Sequence, residues 1–411
     1  MAMALFLRRC GIDSEIFELR HEDYNEGDKI ALAPNALRVL DHLGLYEQIR
    51  EHSFSYEEVY MLSDTGRMLG FVYGGNLVRW GYKALRIKRK IVIQAMRKEM
   101  QRQGIVITFG KKVVGAEENS EQGLVQVRFD DGDVVIGSMV IAADGMHSAL
   151  RNYVDPKANK PQFMDQVGVM GKANREELRD LQQFPCIVLG QTGAFGLLPC
   201  DFRGSEVSFF GNVEMPERQQ WDALAKDKSA LHDILLSHFA SPETWPKDIE
   251  EICRNAKLDD LGFWPFYTVP SLEKYHSANG LVVLIGDAAH GLPPTGGQGA
   301  AQALEDAETL SYTLAEIRNA ELERSGADND EVLLRKAYLA AWGTHRTQRV
   351  AKILDVTNKS AASRRSSTSW IEKEVKEWII WAALKWMGPD AGAGWLFGYA
   401  AESVKSHFVS L

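Results

Sequence analysis

The sequence predicts a layered α/β domain that is interrupted by a second, mostly antiparallel sheet and followed by a helical C-terminal segment. Over the first 150 residues, amphipathic helix patterns alternate with buried-strand patterns, which indicates helices layered on a parallel sheet. From about residue 160 to 270 the strand patterns are rich in glycine and aromatic residues. From residue 331 onward the pattern is helical and rich in tryptophan.

These changes of pattern set the expected domain boundaries. We expect the first part of the α/β domain at residues 1–158, the inserted sheet at 159–275, the second part of the α/β domain at 276–350 and a C-terminal helical segment at 351–411. A chain of 411 residues is long enough to bury more than one hydrophobic core.

Composition and charge exclude several classes of protein. The net charge of −9 leaves no excess of Lys and Arg to neutralise phosphates, which argues against a general nucleic-acid-binding protein. The four cysteines show no CxxC spacing, so they favour a reducing compartment over a disulfide framework, and we assign no metal site. No stretch reaches the roughly 18 apolar residues that span a membrane. We therefore expect a cytoplasmic enzyme that acts on a small molecule.

The first element is a helix that is already under way at Met1 and ends at Gly11. A short apolar strand follows and ends at Glu18. An acidic side chain at the end of the second strand of a dinucleotide-binding fold can accept hydrogen bonds from ribose hydroxyls. A solvated strand end is the alternative explanation for Glu18.

The second motif is "VIAADGMHSALR", residues 140–151. A buried strand runs into Asp144 and Gly145, and Ser148 is suited to cap the helix that follows. The third motif is "LIGDAAHGLPPTGGQGAAQALEDA", residues 284–307, in which a strand delivers Asp287 and a Pro-Gly loop leads to a helix. The N–H groups at such a helix start suit an electron-rich oxygen. We expect residues 12–18, 138–143 and 281–286 to be parallel strands of one sheet.

Together these motifs resemble those of the class A flavoprotein monooxygenases, a group that includes para-hydroxybenzoate hydroxylase and many fungal secondary-metabolite hydroxylases and epoxidases. The resemblance extends from residue 1 to about 350 and is strongest in "AADGMHSALR" and "GDAAHGLPPTGGQGAAQALEDA". The stretches "ALAPNALRVLDHLGL" and "LRIKRK" support it. It implies a Rossmann-like FAD-binding domain, with FAD and NADPH as cofactors and O2 as the source of an oxygen atom for an electron-rich substrate.

The resemblance also implies which residues contact the cofactor. Glu18 would hold the adenosine ribose, Arg89 would contact the flavin, and Asp287 would bind the ribityl–pyrophosphate region. The implied cofactor-binding set is Glu18, Arg89, Asp144, Asp287, Gly297, Gln298, Gly299 and Ala300.

Two departures from the family leave alternatives open. The family has a strand and a GxGxxG turn immediately before the helix at which this sequence starts, and Lys29 stands where the family has a small residue near the flavin. One explanation is an N-terminally shortened FAD monooxygenase. Another is a flavin-free cyclase, isomerase or dehydratase on the same fold, and a third is a non-enzymatic partner protein. Without the phosphate-binding turn, we expect the chain alone to retain little FAD.

The inserted sheet predicts the residues that line the substrate site. An aromatic or polyketide-like molecule fits the predicted lining, and ordinary core packing explains most of these residues equally well. The predicted pocket residues are Phe195, Leu197, Phe209, Phe210, Asn212, Tyr267 and Pro294. His290 and Tyr267 are candidate catalytic residues, with a structural role favoured for His290. The tryptophans of the C-terminal segment favour a docked helix or a homodimer contact over membrane association.

Overall fold

The computed structural model describes residues 1–24, 29–240, 244–323 and 328–408. The strands are β1 (Ile16–Glu18), β2 (Lys29–Leu32), β3 (Phe54–Tyr56), β4 (Glu58–Ser63), β5 (Met68–Tyr73), β6 (Ala84–Lys88), β7 (Ile107–Phe109), β8 (Val113–Asn119), β9 (Leu124–Phe129), β10 (Val134–Gly137), β11 (Val140–Ala142), β12 (Gln162–Asn174), β13 (Cys186–Gly190), β14 (Gly193–Pro199), β15 (Glu206–Glu214), β16 (Gly262–Thr268) and β17 (Val282–Leu284).

Helices alternate with these strands in the first part of the chain and follow one another at its end. They are α1 (Ala2–Arg9), α2 (Pro34–His42), α3 (Tyr46–Arg50), α4 (Leu77–Trp80), α5 (Arg89–Arg102), α6 (Ala149–Val154), α7 (Trp221–Lys226), α8 (Lys228–Leu235), α9 (Lys247–Arg254), α10 (Asp287–His290), α11 (Gly299–Glu323), α12 (Asp328–Ser363), α13 (Trp370–Met387) and α14 (Gly394–Phe397).

The largest sheet has seven strands in the order β16-β12-β15-β14-β13-β4-β5. Its neighbours pair antiparallel, except for the parallel pair β13–β4. One face packs against α7, α8 and α9, with which it forms a continuous apolar core. Part of the opposite face is covered by α13, because a Cβ atom added at Gly70 of β5 would lie 2.9 Å from Leu384. The five strands β12 to β16 lie within the predicted bounds of the inserted sheet, 159–275, and pair antiparallel, whereas β4 and β5 come from residues 58–73, outside those bounds.

The parallel strands form pairs. β1 pairs with β7 and β11 pairs with β17, each pair in parallel register. The prediction that residues 12–18, 138–143 and 281–286 belong to one sheet is corrected, since no described strand joins β1 to the β11–β17 pair. Both pairs nevertheless contribute to one apolar core with α1, α2, α5 and α11. A layered α/β arrangement therefore holds without a continuous sheet among the described residues.

The C-terminal part is helical, as the sequence predicts. α12 packs along α11, and α13 crosses to the seven-stranded sheet. One side of α13 carries exposed apolar side chains, of which Trp386 is 89% exposed; the others include Trp370, Ile371, Val375, Trp378 and Ile379. No described helix is both long enough and apolar enough to cross a bilayer.

Candidate functional site

The loop between β17 and α11 forms one wall of the candidate site. β17 ends at Leu284, and Gly286 then adopts a φ of 60°, a conformation that L side chains rarely tolerate. Asp287 follows directly in α10, and Gly297, with a φ of 61°, turns the chain into α11. Gly286 and Gly297 are thus required by the backbone, which explains why this part of the motif could be read from the sequence.

The charge of Arg89 acts on Asp287, although 198 positions separate the two residues in the sequence (287 − 89). Asp287 is exposed, yet desolvation by the surrounding protein raises the pKa of its carboxyl group. His290 and Arg89 oppose that rise, so the Arg89 guanidinium at the start of α5 lies within electrostatic range of the carboxyl group. A carboxyl group that is both solvent-accessible and partly desolvated is typical of the wall of a cleft.

The start of α11 adds hydrogen-bond donors beside Asp287. No described residue accepts a hydrogen bond from the N–H groups of Gly299 or Ala300, and both residues are partly exposed. A Cβ atom added at Gly299 would lie 3.9 Å from Asp287 Oδ1, so donors and acceptor share one space. Hydroxyl groups and a carbonyl-bearing ring edge match this donor and acceptor set. The residues present therefore fit the ribityl chain and pyrimidine edge of FAD.

The motif at residues 140–151 supports this wall from one side. Ser148 Oγ accepts a hydrogen bond from Arg151 N at 2.9 Å, and Asp144 Oδ2 accepts one from Ala149 N at 3.1 Å. Arg151 Nη1 donates to the carbonyl oxygens of Ala288 and Ala289 at 2.9 and 2.8 Å. Arg151 therefore ties α6 to the turn that carries Asp287. The sequence patterns did not single out this arginine.

A buried ion-pair network lies on the α11–α12 side of the loop. Asp306 Oδ2 accepts hydrogen bonds from Gly286 N at 2.7 Å and from His290 Nε2 at 2.6 Å, and Asp306 Oδ1 accepts one from Arg346 Nε at 2.6 Å. His290 is only 2% exposed. The catalytic role of His290 is corrected in favour of the structural one, because its Nε2 atom is bonded to Asp306 and its ring is buried.

Glu305 extends the network to the other side of the loop. Its carboxylate accepts hydrogen bonds from Arg346 Nη1 at 2.9 Å, from Arg349 Nε at 2.6 Å and from Asn35 Nδ2 at 2.7 Å. The same Asn35 Nδ2 lies 3.0 Å from Gln298 Oε1, so the Gln298 side chain is buried in the network. The predicted cofactor contact of Gln298 is thereby restricted to its backbone.

The charges of this network are balanced. Burial by itself would raise the pKa of Glu305, but the hydrogen bond from Arg349 and the charge of Arg346 lower it overall. Burial likewise opposes ionisation of Asp306, and the neighbouring His290 and Arg346 hold its pKa well below the usual range. Both carboxylates are therefore ionised and paired, which fixes the shape of the loop from its buried side.

Glu18 and Lys29 lie outside the loop between β17 and α11, at the end of β1 and the start of β2. Glu18 is half-buried at the end of β1, where its Oε1 atom accepts a hydrogen bond from Arg20 N at 2.9 Å. Lys29 is buried, and its Nζ atom lies 3.3 Å from Glu206 Oε1. The charge of Lys29 is thus paired with a carboxylate of the protein itself.

The predicted pocket residues divide between the two faces of the seven-stranded sheet. Phe195, Leu197 and Phe209 lie in the core beneath α8, where the rings of Phe195 and Phe209 stack at 5.4 Å. Their assignment to a pocket is corrected, since side chains alternate along a strand and these three point toward the helices. Tyr267 is corrected for the same reason, because its hydroxyl accepts a hydrogen bond from Trp221 Nε1 of α7 at 3.0 Å.

Phe210 and Asn212 point to the opposite face. A Cβ atom added at Gly168 of β12 would lie 3.2 Å from Phe266 Cε1 and 3.5 Å from Asn212 Oδ1, so Phe266 belongs to this face too. Pro294 is exposed in the loop that precedes α11. On β16, Phe266 shares this face, whereas its neighbour Tyr267, which the sequence analysis chose, does not.

Comparisons with known proteins bear on this arrangement. A family model described as the FAD binding domain matches residues 1–329. A FAD-dependent urate hydroxylase of Klebsiella oxytoca is 28% identical over 330 residues, which cover 78% of this chain and 79% of that protein. A 3-amino-4-hydroxybenzoate 2-monooxygenase of Streptomyces platensis, PtnB3, is 28% identical over 322 residues, which cover 76% of each chain.

A solved structure is similar over nearly the whole chain. The crystal structure of Klebsiella pneumoniae HpxO complexed with FAD and uric acid superimposes with a TM-score of 0.78 at 21% sequence identity. The similarity covers 97% of this chain and 94% of that one. At this sequence identity it shows a shared fold alone.

Proposed function

The chain belongs to the FAD binding domain family and is a flavoprotein oxidoreductase, and from this premise we propose that it uses FAD and NAD(P)H to transfer one oxygen atom of O2 to a substrate. The substrate class we propose is a hydrophobic aromatic or polyketide-like metabolite, as in secondary metabolism. The observation that supports the proposal is that Asp287 lies beside the N–H groups of Gly299 and Ala300, which no described residue accepts, within electrostatic range of Arg89.

Each of these groups has a distinct role in the proposal. Asp287 would accept hydrogen bonds from ribityl hydroxyl groups, and Gly299 and Ala300 would donate to an oxygen of the pyrimidine edge. Arg89 supplies a positive charge at the same wall. When bound, FAD supplies the electron transfer and oxygen activation that no protein side chain provides. We further assign Glu18 to the adenosine ribose and Asp144 to the approach of both cofactors.

The substrate would lie between this loop and the sheet face that carries Phe210, Asn212 and Phe266. Phe210 and Phe266 offer apolar contact, and Asn212 offers an amide that can orient a polar group. The protein's part is then to position the substrate and exclude water. The flavin-free alternative receives no support from the relatives, whose names describe FAD-dependent enzymes or oxygenases. A homodimer and a cytoplasmic location stay predictions.

The proposal is tested by titrating the purified chain with FAD and following the visible absorbance and the NAD(P)H oxidation of the complex. We expect Asp287→Ala to weaken FAD binding about 10- to 100-fold, because hydrogen bonds to a charged acceptor contribute roughly 1.5–3 kcal/mol. Asp259→Ala, at an exposed position outside the loop, is the matched control and should leave the affinity unchanged.

Two results would contradict the proposed function. One is a wild-type chain that binds no FAD at any accessible concentration. The other is a chain whose FAD affinity falls equally in Asp287→Ala and Asp259→Ala, which would remove the loop from the cofactor site.

A further inference from the structure

Gly196 and Phe210 lie directly opposite each other on β14 and β15 of the seven-stranded sheet. A Cβ atom added at Gly196 would lie 2.1 Å from Phe210 Cζ and 2.3 Å from Phe210 Cε1. Carbon atoms in van der Waals contact stay about 3.5–4.0 Å apart, so the ring of Phe210 occupies the space that any side chain at position 196 would need. Only glycine at this position therefore leaves room for the ring where it lies.

The Phe210 ring lies at the border between a covered part and an open part of its sheet face. On one side it packs against an apolar cluster that includes Ile380 and Leu384 of α13. Phe210 itself is half-buried, so part of its ring borders accessible space, and Asn212 and Phe266 share this face. Because the α13 side is filled by packed side chains, a ring pushed off Gly196 would move toward the space beside Asn212.

The core face of the sheet contains a matching pair of residues. Gly171 of β12 lies opposite Phe209 of β15, and a Cβ atom added at Gly171 would lie 2.3 Å from Phe209 Cζ. Phe209 is 1% exposed and stacks on Phe195 beneath α8, so the absence of a side chain at Gly171 serves packing. Phe210, unlike Phe209, borders space that a ligand can enter, and this gives Gly196 a role besides packing.

We propose that Gly196 determines the size of the ring system that the substrate site admits, because it lets Phe210 lie back against the sheet. With glycine at position 196, the space beside Asn212 stays open to a fused ring system. With a side chain there, the displaced Phe210 ring would fill that space. Gly196 acts on the substrate through Phe210, so it is a positioning residue. This inference rests on the proposed function for the location of the substrate and adds the residue that limits its size.

The test compares two neutral amides that differ by one ring, benzamide and 2-naphthamide. Their affinities for the purified chain are measured by equilibrium dialysis, with and without saturating FAD. We expect Gly196→Ala to weaken the binding of 2-naphthamide about tenfold and that of benzamide less than about twofold, because a methyl group added to a filled space displaces its neighbour. Gly171→Ala is the matched control, since it makes the same clash with Phe209 in the core and should leave the ratio of the two affinities unchanged.

Two variants of Phe210 test whether Gly196 acts through this ring. In Phe210→Ala the ring is absent, so the addition of Gly196→Ala should have no further effect on the binding of either amide. Phe210→Leu keeps Gly196 and shortens the side chain. It should raise the affinity for anthracene-2-carboxamide relative to that for 2-naphthamide about fourfold, which corresponds to roughly one buried methylene group. This comparison decides the proposal if Gly196→Ala does not fold.

The proposal is overturned if Gly196→Ala weakens the binding of both amides equally, if its effect persists in Phe210→Ala, or if Gly171→Ala shifts the ratio as much. It is also overturned if the wild-type chain binds neither amide, or if Phe210→Leu leaves the relative affinity for the three-ring amide unchanged. Dialysis requires neither NAD(P)H nor turnover, so its outcome is independent of the monooxygenase activity. A chain that binds no FAD but selects ring size through Gly196 would contradict the proposed function and support this inference.

Discussion

Three arginines beside the loop between β17 and α11 differ in their partners. Two of them, Arg346 and Arg349, lie in α12, and Arg364 follows directly after it. Arg346 and Arg349 lie in a buried network with Glu305 and Asp306, and every carboxylate there has at least two donors. Arg364 contacts the loop through Thr295 and has no described carboxylate partner. The difference separates charges that are held in buried ion pairs from a charge that is held by a hydrogen bond to a backbone carbonyl oxygen.

The largest expected effect comes from removing an arginine of the buried ion-pair network. Arg346→Met leaves Asp306 and Glu305 short of a donor in a buried site, and loss of one partner of such a pair costs about 3–5 kcal/mol. Arg364→Gln removes a cation with no carboxylate to leave behind, so we expect a loss of about 1 kcal/mol. The free energy of unfolding in urea measures both. Equal losses would contradict the distinction between the two kinds of arginine.

The seven-stranded sheet offers the same comparison between adjacent residues. Phe209 is 1% exposed in the core beneath α8, whereas Phe210 is half-buried on the opposite face. We expect Phe209→Ala to cost about 3 kcal/mol, as for other buried aromatic residues, and Phe210→Ala to cost about 1–2 kcal/mol. Urea unfolding gives the stability, and dialysis of 2-naphthamide gives the binding. The division of faces is wrong if Phe209→Ala weakens binding more than Phe210→Ala does.

The smallest expected effect is a pH dependence next to the network. Burial, reinforced by Arg346, His407 and Arg349, lowers the pKa of His345 to about 3, and Glu305 opposes this only in part. Between that value and the pKa of about 6.5 in the unfolded chain, only the unfolded state binds the proton. The stability from neutral His345 is therefore complete above pH 6.5 and is lost as the pH falls.

We expect His345 to contribute a loss of about 1 kcal/mol between pH 6.5 and 5.5. His345→Gln removes this contribution, so the free energy of unfolding should fall less steeply with pH in the variant than in the wild type. His52→Gln, at an exposed position, is the control. Identical slopes for wild type and His345→Gln would contradict the assignment.

The sequence predicted those parts of the molecule whose signals are local. The motifs at 140–151 and 284–307 fold as strand, turn and helix, because their glycines and the cap Ser148 specify the backbone directly. The position of Asp287 shortly after a buried strand followed from the same pattern. The inserted sheet and the helical C-terminus were also readable, since glycine and aromatic residues change in frequency along the chain.

The sequence did not show which side chains lie on which face of the seven-stranded sheet. In "EVSFFGNVEM" apolar residues occupy consecutive positions, so the pattern does not show which of Phe209 and Phe210 points toward the helices. Because of the same ambiguity, the sequence analysis chose Tyr267, whose side chain points toward α7, and passed over its neighbour Phe266. The buried network was missed because its members, Asn35, Glu305 and Arg346, meet only in three dimensions, and nothing local marks their pairing.

The exposed apolar side of α13 has a consequence for how the protein behaves in concentrated salt. Excluded salts such as sulfate raise the free energy of apolar surface in contact with water. α13 presents Trp370, Trp378 and Trp386 to the solvent, so sulfate lowers the solubility of this chain. Despite its net charge of −9, the protein should precipitate early in an ammonium sulfate fractionation and adsorb to a phenyl resin.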